Sequence, residues 1–281
     1  MRLLHGRPLA ERLNAESRAR ADALRGRGVT PALDVVSVGL DPAANTYLAR
    51  LVRAGTVIGI AVRDVSLARE ADERTVMGAL DRAGRDAAVH GILLLTPLPG
   101  KLDEGHLVDH IASEKDVEGV NPYNVGLLLD GRPRYVPSTA EAVTALLRFH
   151  EIRMRGVEAV VVGRSTVVGR PAAALLLNED ATVTIAHKRS ADVAALTRRA
   201  AIVVVAVGRA GFLTGDMIAK GATVIDAGIN VTPAGIAGDV DQESVAPIAG
   251  ALSPVPGGLG TVTTALLLRN LLSAAERQTR D

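Results

Sequence analysis

The stretch Ala159–Pro171, AVVVGRSTVVGRP, constrains the fold more than any other part of the chain. A β-branched apolar run (Val160, Val161, Val162) meets Gly163 and Ser165, and Gly169, Arg170 and Pro171 follow. Small residues at the carboxyl end of a strand let backbone approach a bound phosphate. A helix that starts there turns its free N–H groups and positive dipole end to the same point. Pro171 suits a first helical turn, and Pro171–Asn178 reads as the helix. The spacing is G-x-S-x-x-x-G, one residue longer than the usual dinucleotide fingerprint, with serine for the middle glycine. In strand–turn–helix context it predicts a Rossmann-type nucleotide turn; without that context it would be an ordinary tight β–α turn.

The surrounding chain repeats the alternation. Pro8–Leu24 is an amphipathic helix stopped by Gly26 and Gly28, and Ala32–Val38 is a strand ended by Gly39. Asp41-Pro42 opens a helix through Tyr47, Leu48, Leu51 and Ile58, closed by Gly59. Ile60–Val65 is a strand, Asp72–Arg85 a helix, Gly91–Leu95 a buried strand and Asp103–Ala112 a helix. Past Pro137, Thr139–His150 is a helix, and strands follow at Ala181–Ala186, Ile202–Val207 and Thr223–Ile225. A long helix from Thr261 to about Gln278 closes the chain and is placed to return to the first half. Alternating strands and helices mean βαβ units and mainly parallel sheets, so the fold class is α/β. At about 150 residues per domain, 281 residues predict two domains.

The end of the Ala181–Ala186 strand bears on the cofactor. An NAD site carries an acidic residue there to accept from the ribose 2′-hydroxyl. This chain has His187, Lys188 and Arg189 instead, with Arg164 in the glycine turn. Cations at that position pair with a 2′-phosphate, so NADP is expected over NAD.

Several function classes are excluded. A net charge of +1 argues against a nucleic-acid surface. With no cysteine there is neither disulfide nor thiol chemistry, and no apolar run reaches membrane length. The start, MRLLHGRPLAERLN, lacks an apolar leader, which makes a cytoplasmic location the default expectation. His106 and His110, near Glu104 and Asp109, lack the further residues of a catalytic metal motif and read as a solvated helix face; no metal is expected. Lysine is scarce: of 32 basic residues only Lys101, Lys115, Lys188 and Lys220 are lysines.

Short motifs in a fixed order extend the reading. They are Val38-Gly39…Pro42…Tyr47, Gly91-Ile92-Leu93…Pro97-Leu98-Pro99, Lys115-Asp116-Val117…Gly119 and Pro122-Tyr123-Asn124-Val125-Gly126. Gly163-Arg164-Ser165…Val168-Gly169-Arg170-Pro171, Asp226…Gly228-Ile229-Asn230, Gly238-Asp239-Val240 and Pro254-Val255-Pro256-Gly257-Gly258…Gly260 complete the set. Together they resemble the methylenetetrahydrofolate dehydrogenase/cyclohydrolase family, nearly end to end. The resemblance implies a folate domain at 1–137, completed by 258–281, and a Rossmann-type NADP-binding domain at 138–257. It implies oxidation of 5,10-methylenetetrahydrofolate with NADP, hydrolysis of the methenyl product in most members, and a homodimer. It also implies that Tyr47 and Glu118 are the retained catalytic positions. Tyr47, Glu118, Pro256, Gly257 and Gly258 would bind substrate, and Gly163, Arg164, Ser165, His187, Lys188 and Ile229 the cofactor.

The chain departs from that pattern where hydrolysis is concerned. The family's catalytic lysine lies four residues after the tyrosine, where this chain has Leu51, and no lysine precedes Lys101. The family glutamine two residues before Pro-Leu-Pro is Leu95, and the aspartate before Gly119 is Glu118. Asn121 stands where histidine is common and Thr261 where proline is common. Hydride transfer needs mainly positioning, whereas hydrolysis needs general acid–base work that leucine cannot do. Arg50 and Arg53 beside Leu51 do not deprotonate and cannot substitute. The expectation is a dehydrogenase with cyclohydrolase activity weak or absent. Two alternatives stay open at this level: a non-catalytic folate- and NADP-binding protein, or a dehydrogenase for a modified pterin or other one-carbon adduct. A bland reading also stays open, in which Leu51 and Leu95 are core residues of a shifted site.

Overall fold

A computed structural model describes residues 1–39, 42–233 and 235–280. The chain divides into two compact units, Met1–Glu11 with Pro137–Thr263, and Arg12–Val136 with Thr264–Asp281. In chain order the elements begin β1 (Arg2–Leu3), α1 (Arg7–Gly26), β2 (Ala32–Val38), α2 (Pro42–Ile58), β3 (Ala61–Leu67), α3 (Glu73–Arg85) and β4 (Gly91–Leu94). Next come α4 (Glu104–Val108), α5 (Pro122–Leu129), α6 (Ser138–Phe149), β5 (Glu158–Val162), α7 (Gly169–Asn178), β6 (Thr182–Ala186) and α8 (Val193–Thr197). The rest are β7 (Ile202–Val205), β8 (Thr223–Asp226), β9 (Asn230–Thr232), β10 (Gly235–Ala237), α9 (Gln242–Val245), β11 (Ala251–Leu252) and α10 (Thr263–Gln278).

The unit holding residues 12–136 is built on a three-stranded parallel sheet in the order β3-β2-β4. All seven residues of β2 are buried, as expected for a parallel strand covered on both faces. Leu33 and Val35 point into a cluster with Leu51, Leu93 and, from α10, Leu267, Leu268 and Leu271. Val36 and Val38 point the other way, against Val76, Leu80 and Leu107 from α3 and α4. α10 thus supplies one wall of this core. The chain reverses direction across the sheet between β2 and β4, so the loops after these strands form its natural ligand edge.

The unit holding residues 137–263 carries a six-stranded sheet, β1-β11-β8-β7-β5-β6, in which every pairing is parallel. Its reversal point lies between β5 and β7, beside Gly163. Residues 1–11 belong here, and not with the rest of the first half, because β1 pairs with β11. This differs from the expected 1–137 grouping, as does a division at 263 in place of 258. Beyond the sheet, β9 and β10 form a separate two-stranded antiparallel hairpin.

Most expected elements appear within a residue or two. Asp41 lies outside the described residues, so only the Pro42 start of α2 is compared. α4 ends at Val108, where a helix to Ala112 was expected. The apolar spacing of Leu107 and Ile111 continues, but His110 and Ile111 bond three residues back, so the chain tightens into turns. α7 starts at Gly169, two residues ahead of Pro171, which still falls in the first turn.

Candidate functional site

In the second-half unit the backbone at the reversal point is held open by missing side chains. Gly163 has φ +129°, and a Cβ there would lie 2.2 Å from the Ala206 carbonyl oxygen. A Cβ on Gly169 would meet the Gly163 carbonyl oxygen at 2.3 Å, so turn and helix start pack backbone to backbone. The Ser165 hydroxyl accepts from the Val168 and Gly169 N–H groups at 3.2 and 3.3 Å, fastening the loop onto the first turn of α7. That explains a serine at the middle position: it organises the turn from within. Arg164 and Ser165 are exposed, whereas Gly163 is buried.

At the end of β6, the Arg189 N–H donates to His187 Nδ1 at 3.2 Å, and the His187 N–H donates to the Ser190 hydroxyl at 3.0 Å. These bonds fix the His187–Ser190 loop. Lys188 and Arg189 are exposed, and among the described residues neither they nor Arg164 form an ion pair. The strand end therefore presents cations without a carboxylate. This donor set, with the two glycines and the start of α7, fits a phosphorylated dinucleotide.

Two buried aspartates brace the neighbouring strand ends. Asp226 accepts from the N–H groups of Gly228, Asp239 and Val240, and burial pushes its carboxyl up to about 6. Asp239 accepts from the N–H groups of Val207, Gly208 and Arg209 and from the Asn230 amide. Gly228 and Gly238 are glycines because a Cβ on either would collide with the opposing aspartate, at 2.3 Å and 1.8 Å respectively. The sequence carries this signal in its Asp…Gly and Gly-Asp pairs, but their spacing alone does not reveal that they brace one another. The network delivers Ile229 to the surface, 67% exposed, at the base of the hairpin.

The segment Pro254–Gly260 is a tight reversal. Gly258 N–H donates to the Pro254 carbonyl at 2.7 Å, and Gly6 N–H donates to the Gly257 carbonyl at 2.9 Å. Gly257 has φ +109°, and a Cβ on Gly258 would press on the Pro254 carbonyl oxygen at 2.6 Å. Thr261 donates its hydroxyl to the Gly258 carbonyl at 2.7 Å and closes the reversal without a proline. Pro256 is left exposed at its crest.

In the other unit, α2 follows β2 and carries Tyr47 and Leu51 four residues apart on one helix face. Leu51 is fully buried, and Tyr47 and Leu95 pack against the same apolar cluster. Leu51 thus lies inside, and Leu95 against, one apolar cluster. Glu118 follows Asp116–Val117, where Asp116 bridges to Ile92 of β4. It is near enough to Tyr47 to disfavour its ionisation; burial pushes the phenol far up first, Glu118 adds to it, and Arg50 partly offsets it. Tyr47 therefore stays neutral at any ordinary pH and keeps its hydroxyl proton.

Lys115 does not supply the missing lysine. Its ammonium is buried and donates to the Ala83 and Asp86 carbonyls at 3.2 and 2.7 Å, at the end of α3. Asp116 is equally committed, accepting from Val120, Asn121 and Asn124. Asn121 caps α5 by accepting from the Tyr123 N–H at 2.9 Å and donates to the Ile111 carbonyl at 3.0 Å. His106 and His110 pair with Glu73 and Asp81, and no cluster among the described residues could hold a metal ion. No helix among the described residues is long and apolar enough to cross a membrane.

Residues 4–118 match the family model for the tetrahydrofolate dehydrogenase/cyclohydrolase catalytic domain, and residues 137–279 match the model for its NAD(P)-binding domain. A bifunctional protein FolD from Nocardia farcinica is 47% identical, across 98% of this chain and 97% of its own length. The solved bifunctional FolD enzyme of Campylobacter jejuni is 36% identical with a TM-score of 0.96, covering 99% of each chain. A FolD structure from Trypanosoma brucei, complexed with NADP cofactor and inhibitor, is 33% identical with a TM-score of 0.94, over 99% of this chain and 98% of its own.

Proposed function

The chain belongs to the tetrahydrofolate dehydrogenase/cyclohydrolase family, and we propose on that premise that it oxidises 5,10-methylenetetrahydrofolate with NADP and leaves the methenyl product largely unhydrolysed. The observation that carries the second half is the full burial of Leu51 in the cluster against which Leu95 also packs.

The residues divide the work as follows. Tyr47 and Glu118 orient the pterin, with the neutral phenol donating and the carboxylate accepting. Pro256, Gly257 and Gly258 border the folate. Gly163, Ser165 and the start of α7 receive the diphosphate, and His187 and Ile229 border the cofactor. Arg164 and Lys188, with Arg189, hold the 2′-phosphate. NADP, when bound, supplies the hydride acceptor. The substrate loses a hydride from its methylene carbon, and the positive charge left behind is shared by the two folate nitrogens. No side chain has to take a proton in that step, so a site of leucines can support it.

Hydrolysis makes other demands. Water must reach the methenyl carbon, and protons must move as the ring opens. Leu51 and Leu95 offer no group for either task and exclude water from their own surface. A lysine there without its partner would be a buried unpaired cation, whereas two leucines leave none. The paired loss is therefore coherent as a change of chemistry.

We assign the assembly as a homodimer, with the β9–β10 hairpin as the contact. Val231 and Ile236 are 87% and 55% exposed there, on a two-stranded sheet that has no further strand beside it among the described residues. Such hairpins gain stability by covering their apolar side chains.

The test is turnover of 5,10-methylenetetrahydrofolate with NADP⁺, read as NADPH. Folate binding without NADPH formation would favour a binding protein, and silence in both would favour another one-carbon adduct.

A further inference from the structure

Arg50 stands one residue before Leu51 and three after Tyr47. Its guanidinium carbon lies 5.5 Å from the centre of the Tyr47 ring. α2 contains no carboxylate, and among the described residues Arg50 makes no ion pair and no hydrogen bond. The Tyr47 hydroxyl likewise has no hydrogen-bond partner among the described residues. The ring is held by the leucine cluster and by the cation, with no polar tether at its tip. We infer that Arg50 is a positioning residue: it fixes the Tyr47 ring, so that the free hydroxyl meets the folate in one orientation. The inference rests on the folate site proposed above.

Two features suit arginine to this task. Its guanidinium carbon lies over the Tyr47 ring, and its delocalised, weakly hydrated cation suits an aromatic face. Arg50 also weakens the pressure that burial and Glu118 place on the phenol, keeping the hydroxyl a better donor. Arg53, the next arginine on α2, is exposed and makes no cation–ring contact with Tyr47 among the described residues, so it serves as the control.

The test compares tetrahydrofolate affinity by anaerobic calorimetry, together with KM and kcat for the methylene substrate. The proteins are wild type, Arg50→Leu, Arg50→Lys, Arg53→Leu, Tyr47→Ala and the Tyr47→Ala/Arg50→Leu double variant. The wild type binds tetrahydrofolate. Arg50→Leu weakens binding and raises KM roughly two- to five-fold at nearly unchanged kcat, the size of an exposed cation–ring contact. Arg50→Lys recovers part of the loss, and Arg53→Leu changes nothing. In the Tyr47→Ala background Arg50→Leu has no further effect, an outcome that a general structural or charge role would not give. An equal loss in both backgrounds, or none in either, overturns the inference while leaving the proposed function intact. Failure of the wild type to bind tetrahydrofolate overturns both. Thermal unfolding of each variant separates misfolding from lost positioning, and Arg50→Lys preserves the test should Arg50→Leu not fold.

Discussion

Replacing Leu51 by lysine introduces a titratable group at this position and exposes the physical barrier to one. Leu51 is fully buried in a cluster with Leu48, Leu93, Val117 and the α10 leucines that holds no carboxylate. A lysine confined there either carries an unpaired charge, which costs about 3–5 kcal/mol, or gives up its proton. Giving it up at pH 7 costs at most about 4.6 kcal/mol, from about 1.36 kcal/mol per unit between pH 7 and an ordinary value near 10.4. Both routes place the penalty of Leu51→Lys at about 3–5 kcal/mol at pH 7. The folded-state value is depressed, so the unfolded chain binds the extra proton and stability rises with pH. At pH 9 the ceiling falls to about 1.9 kcal/mol. Urea unfolding of Leu51→Lys at pH 7 and pH 9, beside wild type and Leu51→Met, measures this. The methionine control stays within about 1.5 kcal/mol of wild type. Adding Leu95→Gln gives the ammonium an acceptor and recovers about 0.5–3 kcal/mol as coupling. A Leu51→Lys penalty below about 1 kcal/mol, unchanged from pH 7 to pH 9, would refute the claim that this surface is dry.

Other predictions follow from the same structure. Lys188→Glu with Arg189→Asp lowers kcat/KM for NADP⁺ by roughly 10- to 100-fold and spares NAD⁺, because each lost cation removes a charge-assisted phosphate contact; equal turnover of both cofactors by wild type would remove the basis for this. Because burial pushes the Asp226 carboxyl up to about 6, a carbon-13 NMR titration is expected to place its midpoint there. Its folded-state value lies above the ordinary one near 4, so the stability it contributes is full below about pH 4 and is lost as pH rises through 6; a midpoint near 4 would contradict the burial argument. Val231→Asp with Ile236→Asp converts a dimer to a monomer in sedimentation velocity while the circular dichroism stays unchanged; a wild-type monomer would end the hairpin assignment.

The sequence made the architecture legible where burial and period agree. β2 is buried throughout and bounded by Gly39, and its limits match Ala32–Val38. Two-residue strands such as β1 and β11 carry no period at all. They form because their neighbours in the sheet offer a free edge, so residues 1–11 could not be assigned from pattern. α5 was missed although Asn121-Pro122 is a cap followed by a first-turn proline, because Gly126 and the exposed Val125 and Leu129 blur its apolar face. In the site, the four-residue spacing of Tyr47 and Leu51 placed them on one face correctly. That Leu95, far along the chain, packs against the same cluster depends on β4 lying beside β2. The Asp226–Asp239 brace was invisible for the same reason: a pair thirteen residues apart meets only once β8 and the hairpin are built.

Oxidation and hydrolysis are read side by side in one assay. Purified protein is given 5,10-methylenetetrahydrofolate and NADP⁺ while NADPH and the methenyl species are followed separately, and methenyltetrahydrofolate is added alone against a buffer blank. NADPH is expected to appear together with methenyl that persists, and added methenyl to decay at the buffer rate. Hydrolysis well above buffer would contradict this, and would mean that another group performs the acid–base work denied to Leu51 and Leu95.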